Sequence, residues 1–377
     1  MMKSLGLYLH IPFCRSKCKY CDFCSFPNAS RQDFEDYVGV LCRDLEAKSA
    51  LCGDYAVDTV YFGGGTPTLL PWRLIERVLE TVFRFYRVTP DAEITAECNP
   101  KTGSLSQLSE MYRMGFNRLS IGMQSTHEHE LRALGRIHTF EDFCRTFADA
   151  RTAGFENLSA DLMMGIPEQS VESYLQSVSR LCELSPEHIS AYGLIVEEGT
   201  PFGDMSDRLI LPDEDAEQEM YFGGIELLAS HGYRQYEISN FAKVGYESQH
   251  NLRYWNCEEF LGFGPAAYSD FGGERFGNSR DLAAYVAGRE ILSERERPTP
   301  NQRMNEYVML RMRLADGVLL EDFEARFGVS FASVFGKRLT RLSGTGLLTT
   351  SEDQIALTAA GMRVSNAILA ELLDFDA

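Results

Sequence analysis

The stretch Leu7-Tyr8-Leu9-His10-Ile11-Pro12-Phe13-Cys14-Arg15-Ser16-Lys17-Cys18-Lys19-Tyr20-Cys21-Asp22-Phe23-Cys24 decides how the chain is read. Residues 7–11 are a short apolar run, and Pro12 ends it, so the run predicts a buried strand that stops where the cysteines begin. Cys14-x3-Cys18-x2-Cys21 therefore lies on the loop after a strand. In parallel α/β folds that is the edge where sites are assembled. Three thiolates so close in sequence can ligate three irons of a [4Fe-4S] cube and leave the fourth open. A tetrahedral zinc site usually shows two separated pairs, and no second pair follows. Of the ten cysteines, Cys42, Cys52, Cys98, Cys144, Cys182 and Cys257 are scattered.

Working outward, similar runs recur at residues 59–62, 93–97, 118–121, 158–163 and 189–194. Amphipathic segments such as 31–49 and 72–84 separate them, which predicts six βα units in an open or partial (β/α)6 barrel. The strand ends carry unusual residues: Gly63-Gly64-Gly65-Thr66, Glu97-Cys98-Asn99-Pro100, Gly122-Met123-Gln124 and Asp161. Residues 196–290 extend the barrel, and 294–300 read as a polar linker. Beyond it, helical patterns at 305–314, 319–327, 331–343 and 362–373, with a hairpin over 347–357, suit a small winged-helix-like module. The expected division is 1–293 barrel and extension, 294–300 linker, 301–377 C-terminal helical domain.

The 377 residues carry 36 basic and 55 acidic side chains, a net charge of −19, which argues against nucleic acid or an anionic membrane as a partner. Residues 299–377 hold eight basic and ten acidic side chains, so the C-terminal module is not expected to bind DNA despite its shape. No leader-like segment and no run of eighteen apolar residues occurs, so a cytoplasmic protein is expected.

The cysteine spacing at the first strand resembles the signature of radical S-adenosylmethionine (radical SAM) proteins. Residues 7–14 together with Lys19-Tyr20-Cys21-Asp22-Phe23 are similar to the branch that contains oxygen-independent coproporphyrinogen III dehydrogenase and the HemW haem chaperones. The resemblance covers nearly the whole chain and implies a radical SAM barrel with extra strands and a HemN-like C-terminal domain. It implies a [4Fe-4S] cluster on Cys14, Cys18 and Cys21. It also implies S-adenosylmethionine held by Tyr8, Tyr20, Gly64, Gly65, Thr66, Glu97, Gln124, Arg136, Asp161 and Gly193. In that set Glu97 meets the ribose hydroxyls and Arg136 the methionyl carboxylate. Gly193 and the 262–268 turn read equally well as simple turns.

Two features divide the branch. Where the dehydrogenase pattern has a fourth cysteine as Cys-x-Cys, this chain has Phe23, and Cys24 one place later reads as a free thiol. His250-Asn251-Leu252-Arg253-Tyr254-Trp255 matches the His-Asn-x-x-Tyr-Trp motif of the HemW group. His250, Asn251, Tyr254 and Trp255 would then face haem, with His250 either axial ligand or packed scaffold and Arg253 either propionate partner or surface ion pair. The resemblance thus implies a haem chaperone that receives haem and passes it to an acceptor such as a respiratory haem protein, with an electron donor and transient contact with a membrane protein. The alternative is coproporphyrinogen oxidative decarboxylation, and a porphyrin-directed methyltransferase or ring-opening enzyme is a third reading.

Overall fold

The computed structural model describes residues 2–373. Its main sheet takes strands β1 (Lys3–Ile11), β2 (Tyr55–Gly64), β3 (Val88–Cys98), β4 (Arg118–Gln124), β5 (Asn157–Met164) and β6 (His188–Gly193) side by side in chain order, all parallel. Later strands extend both edges. β7 (Arg234–Gln235) and β8 (Asn240–Ala242) add antiparallel beyond β6, while β9 (Phe260–Phe263) joins β1 in parallel and carries the antiparallel β10 (Tyr268–Phe271), β11 (Glu274–Asn278) and β12 (Leu292–Glu296). The six βα units and the extra strands of the expected partial barrel are present.

Helices α1 (Arg31–Ser49), α2 (Trp72–Phe85), α3 (Leu105–Met114), α4 (Phe140–Ala153), α5 (Val171–Leu184) and α6 (Glu214–Ser230) follow the six strands in turn. α1 and α4 each begin with a capping box, Ser30 with Asp33 and Thr139 with Asp142, and α3 and α4 end on left-handed Gly115 and Gly154. On α2 the apolar stripe Ile75, Val78, Leu79, Val82 is buried, as its three- and four-residue spacing requires.

The strands obey a period of two that separates chemistry from packing. Leu5, Leu7, Leu9 and Ile11 of β1, Val60 and Phe62 of β2, Ile94 and Ala96 of β3, Leu119 and Ile121 of β4, and Leu158, Ala160 and Leu162 of β5 all join one apolar core. The alternate positions are polar or small: Tyr8 and His10, Thr59 and Tyr61, Glu93, Thr95 and Glu97, Arg118, Ser120 and Gln124, Ser159 and Asp161, His188 and Ser190. The inner face of the barrel is thus a polar lumen rather than layers of branched apolar side chains.

Two parts of the expected organisation are corrected. Residues 294–300 are not a free linker, because Leu292–Glu296 is an edge strand paired with β11, which leaves only 297–299 as the connection. The helix expected over 362–373 divides at Val364 into Ala359–Arg363 and Ser365–Leu372. The C-terminal part otherwise runs α8 (Pro300–Arg311), β13 (Val318–Leu319), α9 (Leu320–Phe327), α10 (Phe331–Leu342), β14 (Leu348–Thr350) and β15 (Gln354–Leu357), the winged-helix order. It has its own core of Tyr307, Val308, Phe323, Phe331, Phe335, Leu357 and Leu369. No helix among the described residues is long and apolar enough to cross a membrane.

Candidate cofactor cleft and its floor

The C-terminal ends of β1 to β6 open on a cleft of about 350 Å³. Cys14, Cys18 and Cys21 line it, together with Tyr20, Gly64, Gly65, Thr66, Glu97, Gln124, Arg136, Asp161 and Asn251. Most of these residues, far apart in sequence, meet here because they stand near the end of a parallel strand or on the loop after it, while Asn251 comes from the helix Gln249–Trp255. All three thiols are free and partly exposed. Cys24 is buried away from the cleft, with its thiol 3.7 Å from the Arg280 carbonyl.

The cysteine loop is pinned on both sides. The Lys19 amide donates to the Leu134 carbonyl and the Phe202 amide to the Lys19 carbonyl, each at 3.0 Å. Phe202 is buried with Leu134, Met163 and Ile166, and Tyr20 packs on them. From the other side Arg280 grips the Asp22 carboxylate with a forked pair of bonds at 3.1 and 2.8 Å.

A chain of polar contacts joins this loop to the strand ends. Arg136 donates to the Cys18 thiol at 3.5 Å, to the Asn99 side-chain oxygen at 2.5 Å and to the Gly122 carbonyl at 2.7 Å. Asn99 in turn donates to the Thr66 hydroxyl at 2.7 Å, and that hydroxyl lies 3.5 Å from the Cys14 thiol. Burial works against the charge of Arg136, but Tyr20, Cys18 and Asp161 outweigh it and raise its pKa. Burial pushes the Cys21 thiol up to about 11, so in the protein alone it is protonated at neutral pH.

Glu97 anchors the opposite wall. Its carboxylate accepts from the Tyr61 hydroxyl and from the Gly64 amide, both at 3.0 Å. Burial, then the charge of Asp161, raises its pKa to about 7. Burial also raises Asp161, which accepts from Ser120 at 3.1 Å. Gly64 has φ of 102°, and a Cβ there would stand 2.3 Å from the His10 ring. At Gly65 a Cβ would fall 2.6 Å from the Phe13 carbonyl oxygen. Glycine is therefore required at both.

The residues suit the cluster and cofactor implied by the sequence. Three free thiols line one cleft, a guanidinium and two carboxylates share it, and the Gln124 amide oxygen is buried without a hydrogen-bond partner among the described residues. Gln124 itself sits at φ of 69°, a strained conformation for a residue with a side chain.

Several expected site residues do not line the cleft, and for the haem reading of the His250 motif this is a correction. Tyr8 stacks on the cleft-lining Tyr61 at 6.2 Å between ring centroids. It lies in the lumen, bonded at 3.0 Å to His10 Nδ1, whose Nε2 donates to the Cys24 carbonyl. Gly193 is exposed at the end of β6 and does not line the cleft. His250 belongs to α7 (Gln249–Trp255), is 1% exposed, and spends both ring nitrogens on hydrogen bonds, Nδ1 with Thr59 and Nε2 with Tyr254, each at 2.8 Å. An axial haem ligand needs a free imidazole nitrogen open to the macrocycle, and His250 offers none. Tyr254 meets Phe260 and His250 edge-on, and the Arg313 guanidinium lies over the ring of the half-buried Trp255. Arg253 is buried in an ion pair with Asp58 and donates to the Glu259 carbonyl and Ser4, so it is neither propionate partner nor surface charge. Of the motif only Asn251 reaches the cleft.

Asn99, quoted from sequence only as part of a strand-end stretch, also lines the cleft, as do Tyr61, Arg118, Ser120, Ser190 and Tyr192, which were not singled out. Their signal was available as polar residues at alternate positions of otherwise apolar strands.

Residues 8–181 match the Radical SAM superfamily model, and residues 299–364 match that of the HemN C-terminal domain. The chain is 35% identical to the heme chaperone HemW of Bacillus subtilis over 97% of its length and 98% of the relative's. It is 36% identical to that of Escherichia coli, with 97% of each chain covered. The chain belongs to the HemW family of radical SAM proteins. A mouse relative of the HemW family chain, radical S-adenosyl methionine domain-containing protein 1, mitochondrial, is 40% identical over 71% of this chain and 60% of its own. The solved structure of Escherichia coli coproporphyrinogen III oxidase (HemN) superposes with a TM-score of 0.88 over 99% of this chain and 91% of that one. At 24% identity that likeness shows the shared fold.

Proposed function

We propose that this HemW family member is a haem chaperone that carries a [4Fe-4S] cluster and S-adenosylmethionine in the strand-end cleft and hands haem to an acceptor protein. The near full-length identity to the heme chaperones HemW of two bacteria carries the reading. Cys14, Cys18 and Cys21 would hold the cluster as thiolates. Gly64, Gly65 and Thr66 would face the methionyl amino group, Arg136 the methionyl carboxylate, and Glu97, Gln124 and Asp161 the nucleoside.

When bound, a cluster with one open iron supplies the site for S-adenosylmethionine and the electron for its reduction. The chain's own work is binding and orientation. Asn99 and the Gly122 carbonyl fix the Arg136 fork so that its direction is set before a carboxylate arrives. Tyr61 and the Gly64 amide hold Glu97 so that its remaining lone pairs face the cleft. The loop clamps from Leu134, Phe202 and Arg280 keep the three thiols at the mouth.

Haem is cargo in this reading, and His250 does not hold its iron. Phe23, where the dehydrogenase pattern has cysteine, is 65% exposed on the cleft lining and favours chaperone over coproporphyrinogen chemistry. An electron donor and a haem acceptor are the partners proposed. The test is transfer: the reconstituted protein loaded with haem and mixed with a haem-free acceptor should develop the acceptor's holo spectrum faster than free haem alone produces it. Equal rates with and without the protein would remove the chaperone reading.

A further inference from the structure

His250 needs another explanation if it is not a haem ligand, and its surroundings supply one. The imidazole lies in the lumen beneath the cleft, stacked on the Tyr61 ring at 5.1 Å between centroids and 23° between planes, and on Tyr8 at 6.4 Å. Tyr61 is the residue whose hydroxyl donates to Glu97. From the other direction, the Thr59 hydroxyl and Tyr254 hydroxyl lock both nitrogens of the ring, and Tyr254 meets it edge-on at 5.1 Å.

The helix that carries His250 is itself held at both ends. The Glu93 carboxylate of β3 accepts from the Gln249 and His250 amides, each at 3.1 Å, which satisfies the helix N-terminus with a negative charge. At the other end Arg326 of the C-terminal part donates to the Asn256 and Cys257 carbonyls at 2.9 and 2.7 Å. A side chain so constrained has one geometry to offer its neighbour.

We infer that His250 is a positioning residue of the S-adenosylmethionine pocket, acting through the ring of Tyr61 on the carboxylate of Glu97, rather than a ligand of haem iron. The inference rests on the proposal that Glu97 faces the ribose of S-adenosylmethionine. Burial, with the charges of Arg253 and Arg118, holds His250 neutral, down to about 3, so the stack does not change with pH in the working range. Removing the ring frees Tyr61 to rotate off Glu97, and the carboxylate loses a donor that fixes its direction.

The experiment is a double-mutant cycle on the full chain with its cluster reconstituted. S-adenosylmethionine affinity is measured for wild type, Tyr61→Phe, His250→Gln and the pair, and haem affinity is measured on the same four preparations. His250→Gln keeps an amide able to bond Thr59 or Tyr254 but removes the ring. His250→Phe, which keeps the ring and gives up the hydrogen bonds, is the companion should the glutamine variant fold poorly. Loss of one oriented hydrogen bond weakens binding by about three- to tenfold. Each single variant is expected to show a loss of that size, with the pair no worse than Tyr61→Phe alone, haem affinity unchanged and His250→Phe nearer wild type than His250→Gln. Losses that multiply in the pair would reduce His250 to general packing and overturn the inference. Weaker haem binding with S-adenosylmethionine affinity intact would overturn it in favour of the ligand role. Glu97→Gln separates the layers: if it leaves S-adenosylmethionine affinity unchanged, the underlying assignment of Glu97 fails, and the inference with it.

Discussion

The Arg136 guanidinium is bonded both to the Cys18 thiol, at 3.5 Å, and to the side chain of Asn99, at 2.5 Å, so one side chain ties the cysteine loop to the end of the third strand. A point charge cannot reproduce this fork. Arg136→Lys should keep the fold and weaken S-adenosylmethionine binding by about ten- to a hundredfold, the range of a charged hydrogen-bonded contact. Equilibrium dialysis with the reconstituted variant checks it, and affinity equal to wild type would take Arg136 out of the site.

The four clustered cysteines divide three to one. Cys14→Ala, Cys18→Ala and Cys21→Ala should each abolish the cluster, whereas Cys24→Ala, whose thiol is buried behind the loop against the Arg280 carbonyl, should retain it. Iron and sulfide content of the four purified proteins reads the outcome directly. Equal loss in Cys24→Ala would break the assignment of three ligands.

Glu97 gives the site a pH dependence whose sign can be worked out. Its folded pKa, raised to about 7 by burial and then by Asp161, means that the hydroxyl-accepting carboxylate is the minority form at lower pH and the majority form above neutrality. Affinity for S-adenosylmethionine should therefore rise between about pH 6 and about pH 8. Glu97→Gln should flatten the profile as well as lower it, and a wild-type profile already flat across that interval would show that Glu97 does not titrate into contact.

The glycine turn separates backbone strain from crowding. Gly199 has φ of 79° with nothing among the described residues within 4 Å of an added Cβ, so Gly199→Ala isolates the conformational cost, about 1–2 kcal/mol. Gly64→Ala adds a 2.3 Å approach to the His10 ring and should cost clearly more in denaturant unfolding, and it should displace the amide that holds Glu97. Equal costs for the two would mean that His10 moves aside freely.

Much of this was legible in sequence because a parallel sheet converts short motifs into geometry. The Gly63-Gly64-Gly65 turn, Glu97 and Gln124 sit at or near strand ends and Asp161 within the C-terminal half of its strand, and parallel strands in chain order bring these positions together. The His250 motif was harder to read. Its spacing cannot tell a ligand from a plug, because the distinction lies in Thr59, Tyr61 and Glu93, on strands far away in the chain. The roles of Asn99 and Tyr61 were missed for the same reason. Each acts on another side chain, Arg136 or Glu97, and pairings of that kind leave no local pattern. The 294–300 stretch looked like linker because it is polar, yet an exposed edge strand such as Leu292–Glu296 is polar too.

The most direct test of the chaperone reading is to measure haem retention and coproporphyrinogen turnover on one anaerobically reconstituted preparation supplied with S-adenosylmethionine and a reductant. The account predicts stable haem binding, surviving gel filtration, with no conversion of coproporphyrinogen to protoporphyrinogen. Efficient conversion with no haem retained would contradict it.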